Sequence, residues 1–158
     1  MSAKIDPSAS TVQEQLLWAV DELEIEIPSW GFLNTGTRFK VWQQEGTPRT
    51  VEEKIDDCGT VRRYTGIAHT ISLHIPWDKT DDYTGLLEYS NPKDMGVGAI
   101  NLNTFQDPVD MLGSMCHPDA DVRDTALVAL GECGELAEAL GAPAGKVWLG
   151  DGTIYPGQ

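Results

Sequence analysis

The chain has 158 residues, 41% of them hydrophobic and 23% charged, with a formal net charge of -14. That length suits one domain with room for a core, and the acidic excess argues against a nucleic-acid backbone or an anionic membrane as partner, since both reward clustered Lys and Arg. No apolar run approaches the ~18 residues of a membrane span and residues 1–10 lack the apolar centre of a signal peptide, so a cytoplasmic address is expected; Cys58, Cys116 and Cys133, odd in number and without a CxxC, read as reduced thiols.

Thr11-Val12-Gln13-Glu14 has the form of a capping box, and Leu16, Val20 and Leu23 follow at near-helical spacing. Residues 25–27 then form a short strand that exits through Pro28-Ser29-Trp30-Gly31. The glycine-dotted connection over 32–48 is long for a passive loop. Thr50-Val51-Glu52-Glu53 is a second capping box, opening a helix with Val51, Ile55, Cys58 and Val61 inward. A β-branched run over 67–75 gives the second strand. It should close near Ile75, because Pro76 lacks a ladder donor and pushes its predecessor into extended geometry. Residues 81–89 read as a helix interrupted at Asn91-Pro92, and 97–101 as a third strand ending among Asn101, Asn103 and Thr104. The longest helix spans 119–140, with Val122, Ala126, Leu130, Cys133, Leu136 and Leu140 as its buried stripe and Gly141 and Pro143 stopping it. Residues 146–149 form the fourth strand, and 150–158 its exit.

Alternating helices and strands imply a parallel sheet with right-handed crossovers. An open flavodoxin-like sheet would want a phosphate-cradling turn after the first strand, and Pro28-Ser29-Trp30-Gly31-Phe32 is a poor one; neither a Walker loop nor a GxGxxG is present. Polar and aromatic residues at every strand exit fit a (β/α)8 barrel better, although such a barrel needs eight units and roughly 250 residues. At the exits, His74 could be a satisfied core histidine, but Trp77 and Asp78 follow it on the same lip, where a neutral imidazole can move a proton or bond a hydroxyl. Trp30, Trp77 and Trp148 occupy equivalent exits and suggest an aromatic-walled pocket, with lid packing as the competing role. Asn101 and Asn103 suit a polyhydroxylated ligand or a loop cap, and Asp151 a ligand or a turn. Thr35-Gly36-Thr37-Arg38 suits an anion, or Arg38 pairs with one of the many carboxylates. Cys116-His117-Pro118-Asp119 reads as a helix start with Asp119 as cap more readily than as a metal site.

Taken together, Pro28-Ser29-Trp30, Gly36-Thr37-Arg38-Phe39-Lys40-Val41, Leu73-His74-Ile75-Pro76-Trp77-Asp78, Gly98-Ala99-Ile100-Asn101, Asn103-Thr104-Phe105-Gln106-Asp107, Cys116-His117-Pro118-Asp119 and Asp151-Gly152-Thr153 with Tyr155-Pro156-Gly157-Gln158 resemble L-rhamnose isomerase, in its broad-specificity bacterial branch. The resemblance runs from about Ile27 onward. It implies a xylose-isomerase-like (β/α)8 barrel that interconverts aldoses and ketoses, L-rhamnose and L-rhamnulose among them, with a pair of divalent cations, commonly manganese. By the same resemblance His74 contacts the sugar and takes part around ring opening, Trp77 and Trp148 line the sugar pocket, and Phe39 belongs to its apolar wall. A homo-oligomer is the family's implied assembly. Leu33 and Ile154 stand where smaller or more polar residues are expected.

On this reading residues 1–24 are an N-terminal extension and helix, and 25–158 are the four βα units of an N-terminal half-barrel. The family's metal ligands would then fall on later strands, and this chain would carry part of the sugar pocket without them. The alternatives are a non-catalytic half-barrel that pairs with itself or with a C-terminal half, a sugar-binding module without chemistry, and a gene fragment.

Overall fold

The computed structural model describes residues 11–33, 42 and 44–149. Along them run α1 (Val12–Asp21), β1 (Ile25–Pro28), a 3-10 turn (Ser29–Phe32), α2 (Val51–Thr65), β2 (Ala68–Ile75), α3 (Tyr83–Ser90), a second 3-10 turn (Asn91–Lys93), β3 (Gly96–Thr104), a third (Pro108–Leu112), α4 (Ala120–Ala139) and β4 (Gly145–Leu149). The strands lie in the order β1-β2-β3-β4 and every pair is parallel. Parallel neighbours cannot be joined by a tight hairpin, which is why a helix intervenes between each of them. The result is an α/β half-barrel, consistent with half of a (β/α)8 barrel.

The helix starts follow the sequence signals, with one difference. At α1 the box is complete: the Thr11 N–H donates to the Glu14 carboxylate at 2.7 Å and the Glu14 N–H to Thr11 Oγ1 at 3.3 Å. At α2 only half of it forms. The Glu53 N–H donates to Thr50 Oγ1 at 3.3 Å, but the Glu53 carboxylate turns to Arg49, accepting its N–H at 2.6 Å and its guanidinium at 3.1 Å. A charge-assisted pair outbids the neutral Thr50 amide. Helix α2 ends at Gly66, whose φ of 73° is left-handed and whose N–H closes on the Arg62 carbonyl at 2.7 Å. Asp119 caps α4, accepting from the Asp121 N–H at 3.0 Å.

One face of the sheet is dry. Ile71 and Leu73 of β2 and Ile100 and Leu102 of β3 pack against Val51, Ile55 and Cys58 of α2, Leu86 of α3, Cys133 and Ala137 of α4, and Leu140 at its C-cap. The α4 stripe is buried or half-buried at every position expected of it. One expectation needs correction: strand β3 runs past Asn101 to Thr104, so Asn103 is a strand residue. Among the described residues the apolar positions of α1 are exposed, Leu16 63%, Val20 68% and Leu23 59%. The inward side of α2 includes a charged residue, Lys54, alongside Val51, Ile55 and Cys58.

Candidate functional site

The other face of the sheet is polar and cross-linked. Glu26 reaches from β1 across β2, accepting from the Ala99 N–H of β3 and from Lys146 Nζ of β4. Gly98 makes that reach possible, since a Cβ there would collide with the Glu26 carboxylate. Burial opposes ionisation of Glu26, but the bonds from Lys146, from the Ala99 amide and from Ser72 outweigh it and hold the carboxyl below its usual range. One layer up, fully buried Asn101 donates from Nδ2 to Ser72 Oγ at 2.5 Å and to the Leu73 carbonyl at 3.1 Å, and its Oδ1 accepts from Trp148 Nε1 at 3.1 Å.

At the C-terminal ends of the strands the aromatic residues form one row. The His74 imidazole lies flat on the Trp77 indole, with centroids 4.0 Å apart and planes inclined 17°. Trp30 meets the same imidazole edge-on at 5.1 Å and Phe105 does so at 6.4 Å. Phe105 lies 6.4 Å from Trp148. The row therefore crosses all four strand ends in order. His74 is 1% exposed, and its Nδ1 finds no hydrogen-bond partner among the described residues. Burial pushes its pKa down to about 4; the Asp78 carboxylate works against that, while Lys54 adds to it. The ring is neutral at physiological pH and fit to exchange a proton or bond a hydroxyl. A polar atom left unpaired in a buried place is what functional sites tend to keep.

Beneath the row sits Asp78, 1% exposed. Its carboxylate accepts from Ser29 Oγ, from Lys54 Nζ and, at 2.7 Å, from the His74 backbone N–H. The Asp78 N–H donates back to the His74 carbonyl at 2.8 Å, closing the turn that contains the cis Ile75–Pro76 peptide.

Of the expected site residues, His74, Trp77 and Trp30 come together as one cluster, and Trp148 joins through Phe105. Phe39 lies outside the described residues, as do the Thr35-Gly36-Thr37-Arg38 turn and Asp151. Asn103 takes the loop-cap role, accepting from the Phe105 N–H at 3.3 Å and donating to Gln106 at 2.9 Å, whereas Asn101 holds Trp148, a role outside the two considered for it. His117 Nδ1 accepts from the Asp119 N–H at 3.0 Å, in keeping with a helix start. Sequence reasoning passed over Ser29, Lys54 and Phe105. Lys54 left a trace: it falls three residues after Val51 and four before Cys58, on the inward stripe of α2.

Among the described residues no three His, Cys, Asp or Glu side chains converge as a metal site. The carboxylate nearest the aromatic row, Asp78, is already committed to three donors. These residues do not fit a divalent cation. Their chemistry is that of a wall: flat apolar ring faces and a neutral imidazole, suited to a small polyhydroxylated ring. No described helix is long and apolar enough to cross a membrane.

No protein-family model matches the chain. It is 40% identical over 144 residues to a protein of Mesorhizobium japonicum named a probable sugar isomerase, the match taking in 88% of this chain and 33% of that one. A probable sugar isomerase of Rhizobium meliloti is 38% identical over 139 residues, 85% of this chain and 32% of its own. The chain spans about one third of the length of the curated relatives it matches. Along most of its length, then, this half-barrel with an aromatic row at its strand ends is similar to part of two proteins named as sugar isomerases.

Proposed function

We propose that the chain forms one wall of the sugar pocket of a cytoplasmic aldose–ketose isomerase of the L-rhamnose isomerase type, built on a xylose-isomerase-like barrel. The observation that carries the reading is the aromatic row across the strand ends, where α/β barrels bind their ligands: Trp30 and Trp77 both against His74, and Phe105 joining His74 to Trp148. The similarity to proteins named sugar isomerases supports it. In this reading Trp77 and Trp148 offer their faces to the sugar ring, and neutral His74 takes or returns a hydroxyl proton as the ring opens. Phe39 is assigned to the apolar wall on the strength of the resemblance. The cation of the reaction, manganese by the same resemblance, belongs to residues other than those described.

Calorimetry with L-rhamnose, with and without chelator, tests the proposal. The expected result is saturable binding that chelator does not change and that Trp77→Ala weakens roughly tenfold or more. Heat no different from buffer would remove the sugar-wall reading. In a parallel assay with added manganese the chain alone should give no L-rhamnulose. Robust metal-dependent turnover would overturn the assignment of the cation to other residues.

A second reading is favoured by the edges of the sheet. Strands β1 and β4 each pair on one side only among the described residues, and β4 is exposed throughout. Open parallel edges invite pairing. A half-barrel of this kind would close its sheet against a second copy, and sedimentation should then show a dimer; a stable monomer at high concentration would count against it.

A further inference from the structure

We propose that Asp78 is a positioning residue: its carboxylate ties Ser29, Lys54 and the His74 backbone into one node that sets the Trp30–His74–Trp77 cluster. The importance of that node for ligand binding rests on the sugar-wall reading above; its structural part does not.

Asp78 acts on the rings through the main chain. Ser29 immediately precedes Trp30, and Asp78 immediately follows Trp77. The third ring, His74, is held by the reciprocal pair of backbone bonds, 2.7 Å from its N–H to the Asp78 carboxylate and 2.8 Å from the Asp78 N–H to its carbonyl. Every ring in the cluster is thus no more than one residue from an atom bonded to Asp78. The carboxylate's hydrogen bonds go to Ser29 Oγ, Lys54 Nζ and the His74 backbone N–H, so it acts on the imidazole through the main chain. Lys54 supplies the neutralising charge from α2, with side-chain exposures of 3% and 0% for the pair. It also fixes the distance between the helical layer and the strand ends.

Energy alone does not account for such a pair. Desolvating two charges offsets most of their attraction, and an apolar pair of the same shape would commonly hold the fold equally well. An ion pair with an added hydroxyl and amide does something an apolar pair cannot. It is directional, so it specifies where three chain segments stand relative to each other. An aromatic wall that must accept a flat ring needs that specification, since a small misplacement of a stacking face forfeits the contact.

The test uses the whole chain and two variants. Asp78→Asn/Lys54→Met removes both charges together, so neither is left buried and unpaired. Ser29→Ala removes a single hydroxyl. For each, cooperative unfolding in urea establishes that the fold is kept, NMR reads the ring-current displacement of the His74 ring protons and their contacts to Trp30 and Trp77, and titration with L-rhamnose reads binding. The double variant should unfold cooperatively, yet lose most of the His74 ring-current displacement and weaken L-rhamnose binding roughly tenfold. Ser29→Ala should lose the Trp30–His74 contacts and keep those of His74 to Trp77. A folded double variant with wild-type ring shifts overturns the proposal. If the double variant does not fold, Ser29→Ala decides alone, and intact Trp30–His74 contacts overturn it. Should the unaltered chain bind no L-rhamnose, the sugar-wall reading falls, while the ring measurements still decide the role of Asp78.

Discussion

The two faces of this four-stranded sheet are built on opposite principles. The helix-covered face is apolar and non-directional: Ile71, Leu73, Ile100 and Leu102 need partners of suitable size, and several different side chains would serve. The other face is directional. Glu26 binds Lys146 and the Ala99 amide, Asn101 binds Ser72 and Trp148, and Asp78 binds Ser29, Lys54 and His74. Each of these groups has a specific mate, so loss of one leaves another stranded, and only the His74 Nδ1 among them has none within the described residues. The first face supplies most of the stability, and the second decides where the exit side chains stand.

Substitutions can break that contrast in graded fashion. Lys54→Met should have the largest effect, destabilising by about 3–5 kcal/mol in urea titration, because it leaves the Asp78 carboxylate buried without a counter-charge. Adding Asp78→Asn should recover much of the loss, an outcome that a packing defect would not give. On the dry face, Leu73→Ala should cost about 3 kcal/mol through lost transfer energy and a residual cavity, with no second-site charge change able to restore it.

Acid should also act on the polar face through His74. Its folded pKa is lowered to about 4 against an unfolded value of about 6.5, so the unfolded chain takes up the proton first as pH falls. The stability that neutral His74 provides is complete above pH ~6.5 and is lost as the pH falls towards ~4, on the order of 3 kcal/mol. Urea midpoints measured between those limits should show the slope, and His74→Phe should flatten this part of it. Asn101→Ala is expected to cost about 2 kcal/mol and to shift Trp148 emission to the red as its indole N–H loses its partner. The smallest effect, about 1 kcal/mol, is expected for Thr50→Ala, which removes the cap of α2 and touches neither face.

Much of the architecture could be read from local pattern. The apolar stripe of α4, the stop of β2 before Pro76 and the caps at Thr11, Thr50 and Asp119 are properties of residues a few positions apart, and the structure has each of them. The exits were legible as well, because Trp30, Trp77 and Trp148 recur at equivalent strand ends, which favours a shared wall over separate lid packing. What each exit residue does was less so. Asn101 could be read as a ligand group or a loop cap and is a fully buried brace for Trp148. Lys54 drew no reading from the sequence and is buried, 2% exposed, against Asp78. The apolar spacing of α1 marked a helix, and among the described residues none of its side chains is buried.

By itself, then, the sequence determined the order of helices and strands, the parallel sheet and the aromatic character of the strand ends. These follow from periodicity and backbone stereochemistry, which act over a turn of helix or a pair of strand residues. Tertiary structure alone decided which polar groups meet. Lys54 and Asp78 are 24 residues apart, Asn101 and Trp148 47, Ser29 and Asp78 49, and Glu26 and Lys146 120. No local rule links such positions. They are matched because the parallel sheet and the helix α2 packed on it bring distant segments side by side, where buried donors and acceptors must find each other or go unpaired.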